Sequence, residues 1–124
     1  RFESWLERVL PDIQHVQALL VNRLSDNPVD CVNQLTEIES WHGRVTTLLA
    51  EANAYLDLAE QKVLILRDKD WTDLDRRANQ AASVVNERRI RDILAGLAEA
   101  IKNRLILGMS IRKGSNGERV HWNP

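Results

Sequence analysis

From Leu35 onward an apolar residue returns at alternating spacings of three and four: Leu35, Ile38, His42, Val45, Leu49, Ala52, Leu56, Ala59, Val63 and Leu66. A row sustained over more than four heptads with one polar member predicts a single long helix with a seam for a neighbouring helix. A second row, Trp41, Leu48 and Tyr55, runs beside it at sevenfold spacing. The apolar face is therefore wider than a two-stranded seam needs. We expect it to meet two neighbours, one in the same chain and one in another copy.

Turn-forming residues confine the other elements. They cluster as "SDNP" at 25–28, "RDKDW" at 67–71 and "GSNG" at 114–117. A first helix is expected over about 2–24, where Leu6, Val9, Ile13, Val16 and Leu20 share a face. Pro11 is either interior to it or the first residue of a helix starting there. The long helix is expected over 29–68 and a third over 72–113. The third is opened by Asp70 or Thr72 as cap, with Asp73 and Asp75 at its positive end. Gly114 should end it, with Arg112 and Lys113 in the final turn.

These elements predict an all-α fold, a long antiparallel coiled-coil-like helical hairpin plus an N-terminal helix. The hairpin would be on the order of 60 Å long at 1.5 Å per residue. Residues 1–113 form one domain and 114–124 a mobile tail. A structure so thin buries little by itself, so the chain is expected to be a homo-oligomer. Leu35, Ile38, Val45, Leu49, Leu56, Val63, Leu97 and Ile101 are the expected packing residues.

With 124 residues the chain has room for one domain. A single cysteine, Cys31, excludes an internal disulfide framework and fits a small buried apolar residue. No run of eighteen uncharged residues exists, so no membrane partner is expected. The net charge of −1 argues against indiscriminate polyanion binding, but its distribution is uneven. Residues 1–62 carry five Lys/Arg against ten Asp/Glu, and residues 63–124 carry twelve against eight. Such asymmetry implies either docking between copies or an anionic partner for the second half.

On a helical wheel of 100° per residue, Ile90, Ile93, Leu94, Leu97, Ile101, Gly108 and Ile111 fall on one side. Arg77, Arg88, Arg91, Lys102 and Lys113 fall within about 60° of one another on the other. Their elevenfold spacing keeps a straight helix in phase and suits an extended anion such as a phosphate backbone. The competing account is an ordinary solvated face. From 76 to 124, however, ten cations stand against four anions, too lopsided for a face built on paired charges. Arg104 instead projects from the apolar side, where a guanidinium needs a carboxylate or several carbonyls. Glu37, Glu39, Glu51, Asp57 and Glu60 are candidates, and register or subunit pairing is its expected role. Between 74 and 85 the apolar residues lie roughly 120° from the later stripe, so "NERR" at 86–89 is expected to be a hinge.

Nothing in the sequence composes a catalytic or metal site. His15, His42 and His121 are scattered, and His42 occupies a heptad position suited to a packed, hydrogen-bonded side chain. The stretch "DKDWTDLD" lacks the glycine and terminal glutamate of a calcium loop, and capping explains it. Paired E-x-x-E motifs, glycine-rich phosphate loops and nucleophile elbows are absent. The expectation is no enzyme, no cofactor and no metal. In the tail, Trp122 could stack on an exposed base or dock onto protein.

The segment "LAGLAEAIKNRLILGMSIRK" resembles the C-terminal signature of the UvsY-type recombination mediators of tailed phages, where an "AIK-x-R" core precedes alternating apolar and basic residues. Upstream, "IESWHGRVTTLLAEANAYLDLAEQKV" resembles that family's aromatic-rich long helix. The resemblance spans about residues 35–113. It implies a helical protein that forms ring-like oligomers, binds single-stranded DNA and helps load a RecA-type recombinase onto strands coated by single-strand-binding protein, in the cytoplasm of an infected bacterium. The matching positions are Lys102, Arg104, Arg112 and Lys113, and the family's central basic motif has only Lys62 and Arg67 as its nearest cations. The resulting expectation is a non-enzymatic mediator using Arg77, Arg88, Arg91, Lys102, Arg112 and Lys113. The alternative is a structural or adaptor coiled coil, a virion or assembly component, without nucleic-acid binding.

Overall fold

The structure, a computed structural model, describes residues 1–66 and 84–121. It is all-helical: α1 spans Phe2–Val21, α2 Pro28–Leu66 and α3 Val85–His121. No strand occurs among the described residues.

In α1, the buried residues Phe2, Trp5, Val9, Ile13 and Val16 repeat at three and four, which is why this segment is helical and which face it buries. Pro11 lies inside the helix, at an exposed position, so the interior alternative is the one realised. Its missing N–H removes one backbone bond, a loss that burial of the five core side chains offsets. The helix stops at Val21 rather than 24 because Asn22 turns to extended backbone, φ −73° and ψ 135°.

The connection to α2 is held by side chains. The Ser25 N–H donates to Gln34 Oε1 at 2.7 Å, and Gln34 Nε2 donates to the Arg23 carbonyl at 3.0 Å. Asn27 Oδ1 accepts the N–H groups of Val29 (2.9 Å) and Asp30 (3.2 Å). Asn27 is thus the N-cap, and Pro28 takes the first helical position, where a missing N–H costs nothing.

Two contacts fix the direction of α3 against α2. Gly108 of α3 meets Leu35, and Arg88 meets Glu60, so the two helices run antiparallel. Phe2 packs on Tyr55 while the His15 ring lies tilted against Trp41 at 4.9 Å, so α1 is also antiparallel to α2 and runs alongside α3. The second neighbour that the wide apolar face was expected to find in another copy is therefore α1 of the same chain.

That arrangement corrects one position of the seam. With helices on both flanks, the deepest row of α2 lies between them: Cys31, Ile38, Val45 and Ala52 are all buried. Leu35 and Leu56 are buried on the α3 side and Leu48 on the α1 side, with Leu49 only partly covered. His42, expected to be packed, is exposed, because Trp41 turns toward α1 at that level and Val45 fills the centre. From α3, Leu94, Leu97 and Ile101 complete the core.

Gly108 matters by what it lacks. A methyl group there would lie 2.5 Å from both δ-carbons of Leu35, so the bare Cα lets α2 and α3 approach closely.

The "NERR" segment, expected to be a hinge, forms the first turn of α3, where the Arg88 N–H donates to the Val84 carbonyl at 3.0 Å; the stretch 74–83 that it would join lies outside the described residues. At the other end the α3 backbone continues through Gly114 to His121, where a C-cap and mobile tail were expected. No described glycine adopts positive φ. Each glycine costs a helix only about 1 kcal/mol, and no proline intervenes before 124 to force a stop. The expected caps Asp70 and Thr72, the acidic stretch "DKDWTDLD", Arg67, Arg77 and Trp122 lie outside the described residues.

Candidate functional site

Arg104, expected to need a carboxylate or several carbonyls, meets carbonyls and has no carboxylate partner among the described residues. Arg104 Nη1 donates to the Asn22 carbonyl at 2.9 Å and Nη2 to the Leu20 carbonyl at 2.8 Å. These oxygens belong to the C-terminal end of α1, where the last carbonyls lack intrahelical partners and carry the negative end of the helix dipole. A planar guanidinium with two parallel donors suits this fork, and a lysine would reach one oxygen at a time. Arg104 is thereby the external cap of α1. Of its expected partners, Glu37 lies 3.8 Å from His15 Nε2, and Glu60 engages Arg88.

The cation stripe occupies one flank of α3 rather than the side opposite the core. Trp41 and Tyr55 of α2 and Arg104 of α3 face α1. Arg88, Arg91 and Lys102 lie on the other flank, toward the uncovered edge of α2. Arg88 Nη2 is 3.6 Å from Glu60 Oε1, with side chains 39% and 31% exposed. Arg91 Nε donates to Asp92 Oδ1 at 2.8 Å. Lys102 is exposed and has no ion-pair partner among the described residues. Arg112 and Lys113 lie on the last described turns of α3. Ion pairs this exposed are worth about 0–1 kcal/mol, so these guanidinium groups can exchange a carboxylate for another anion.

An aromatic cluster fixes the other end of α1. Trp5 lies 5.2 Å from Tyr55 between ring centroids, and Phe2 lies 5.9 Å from each. Trp5 is 2% exposed and its Nε1 has no hydrogen-bond partner among the described residues. Arg44 adds a bond to Asp12 at 3.1 Å between α2 and α1.

Among the described residues no group of three or more His, Cys, Asp or Glu side chains could hold a metal ion, and no helix is long and apolar enough to cross a membrane. The cap at Asn27 was missed, though the "NP" pair inside "SDNP" carries its signal. The Gln34 clasp and the Arg104 fork have no such signal, because each depends on which helices meet. Comparison with family models, with curated proteins and with solved structures finds no match for this chain.

Proposed function

We propose that this chain is a non-enzymatic recombination mediator of the UvsY type. In this reading it binds single-stranded DNA along α3 and assists a RecA-type recombinase in displacing single-strand-binding protein, in the cytoplasm of an infected bacterial cell. The observation that supports the reading is the gathering of Arg88, Arg91 and Lys102 on one flank of α3, away from α1, with a lysine that no described carboxylate compensates. A phosphate backbone laid along that flank would exchange weak surface pairs for charge-assisted contacts. The α2–α3 pair then serves as a hairpin that holds the cations in line. One chain offers few contacts, so useful affinity comes from several chains, as a homo-oligomer, on one strand.

A salt titration with a labelled oligonucleotide tests this. The logarithm of affinity should fall linearly with the logarithm of salt concentration. Replacing Arg88, Arg91 and Lys102 by Ala should flatten the slope by about 2, at roughly 0.7 per phosphate contact on a single strand. Absence of binding by the unmodified chain at low salt, or an unchanged slope in the triple variant, overturns the reading.

The second reading is an adaptor or assembly coiled coil that meets only protein. The ion pairs of Arg88 with Glu60 and of Arg91 with Asp92 favour it, since two of these three flank cations already have carboxylates.

A further inference from the structure

We propose that the flank of the α2–α3 pair left uncovered by α1 is a self-association face, on which each α2 lies over the α3 of a second copy. The inference goes beyond the nucleic-acid reading and stands without it.

Two rows, each spaced by seven, line this flank. On α2 they are Val32, Glu39, Thr46, Asn53 and Glu60, all exposed except Glu60. On α3 they are Arg88, Ala95, Lys102 and Met109, all exposed except Arg88. The opposite edges of both helices face α1, through Trp41 and Tyr55 on α2 and Arg104 on α3. The rows are in step because Leu35 stands level with Gly108 and the helices run antiparallel. Val32 is thus level with Met109, Glu39 with Lys102, Thr46 with Ala95 and Asn53 with Arg88, each to within about 3 Å, two residue rises.

Three of those rungs match in chemistry: apolar with apolar, acid with base and small with small; at the fourth the Arg88 guanidinium is held by Glu60 of its own chain. Val32 and Met109 are 40% and 67% exposed, an apolar end that no described residue covers. A two-fold axis running along the helix pair preserves every level and exchanges the rows, so each α2 row covers the partner's α3 row. Glu39 then meets Lys102 of the partner subunit twice, by symmetry, and Val32 covers Met109 of the partner subunit. A two-fold axis across the helices would instead lay acid on acid and base on base, which like-charge repulsion disfavours. The favoured arrangement is a four-helix layer that closes most tightly where the small side chains of Thr46 and Ala95 meet. A strand bound to Lys102 competes with the second copy, so the association is measured without nucleic acid.

The test is light-scattering mass of the full chain against concentration at low and high salt. A dimer that weakens with salt is expected, since its outer pairs are solvent-exposed. Glu39→Lys or Lys102→Glu alone should weaken dimerisation by about tenfold or more, and the double exchange should restore it. Both positions are exposed, and unchanged helicity by circular dichroism verifies that the variants fold. Monomer mass at every concentration, an oligomer indifferent to both single changes, or a double variant no better than the singles overturns the proposal.

Discussion

Arg104 donates to the carbonyl of Leu20 at 2.8 Å across 84 positions of sequence, and with the matching bond to Asn22 it terminates a helix to which it does not belong. Hydrogen bonds involving a charged donor contribute about 1.5–3 kcal/mol each, less where water reaches them. We expect Arg104→Ala to cost about 1–3 kcal/mol and Arg104→Lys to recover less than half of that. Urea unfolding of the three proteins measures this, and amide exchange should accelerate in the last turn of α1 before anywhere else. Full rescue by lysine would mean that charge alone, not the fork, closes the helix.

The three described helical glycines that lie away from chain ends should respond with opposite signs to alanine. Space is open around Gly43 and Gly96, so alanine there should stabilise by about 0.5–1 kcal/mol through helix propensity. At Gly108 the added methyl meets Leu35, and we expect a net loss of about 1–2 kcal/mol. In a Leu35→Ala background the same Gly108→Ala change should become stabilising. Thermal midpoints of the four-member cycle decide, and equal effects in both backgrounds would remove Leu35 as the cause.

Asn27 caps α2 through two N–H groups, so Asn27→Ala should cost about 1 kcal/mol while Asn27→Asp or Asn27→Ser leaves stability nearly unchanged. Chemical denaturation midpoints suffice. A loss on substitution by aspartate equal to that by alanine would contradict the cap.

Among the described residues Trp5 contributes volume rather than a hydrogen bond. Trp5→Phe should therefore cost about 1–2 kcal/mol and Trp5→Ala about 3–5. If phenylalanine proves as damaging as alanine in unfolding experiments, Nε1 has a partner that the described residues do not supply.

The all-helical class and most of the buried face of α2 were legible from spacing alone, because a heptad row can be satisfied in few ways. The first turn of α2 went unread, the helix being expected from 29, although Asn27 and Pro28 each favour one position at a helix start. His42 was misplaced for a physical reason: a row read as one seam becomes the edge of a broader face once two helices lie on it, and then Trp41 turns inward instead. Arg104 was recognised as a cation needing oxygen ligands, but sequence offers carboxylates by name and carbonyls only through tertiary structure. The opposition of cations to core on α3 also failed. A residue next to a core position stands only about 100° from it, so Lys102 beside the buried Ile101 lies at the edge of the core face, and Arg88 reaches Glu60 of α2.

The long reach of the Arg104 fork bears on how the molecule is made. A ribosome delivers α1 more than eighty residues before the guanidinium that seals its final carbonyls, so this helix emerges with its end unsatisfied. It must wait for α3 before it can settle. Of the three described helices, the one synthesised earliest is therefore closed only by the one synthesised latest.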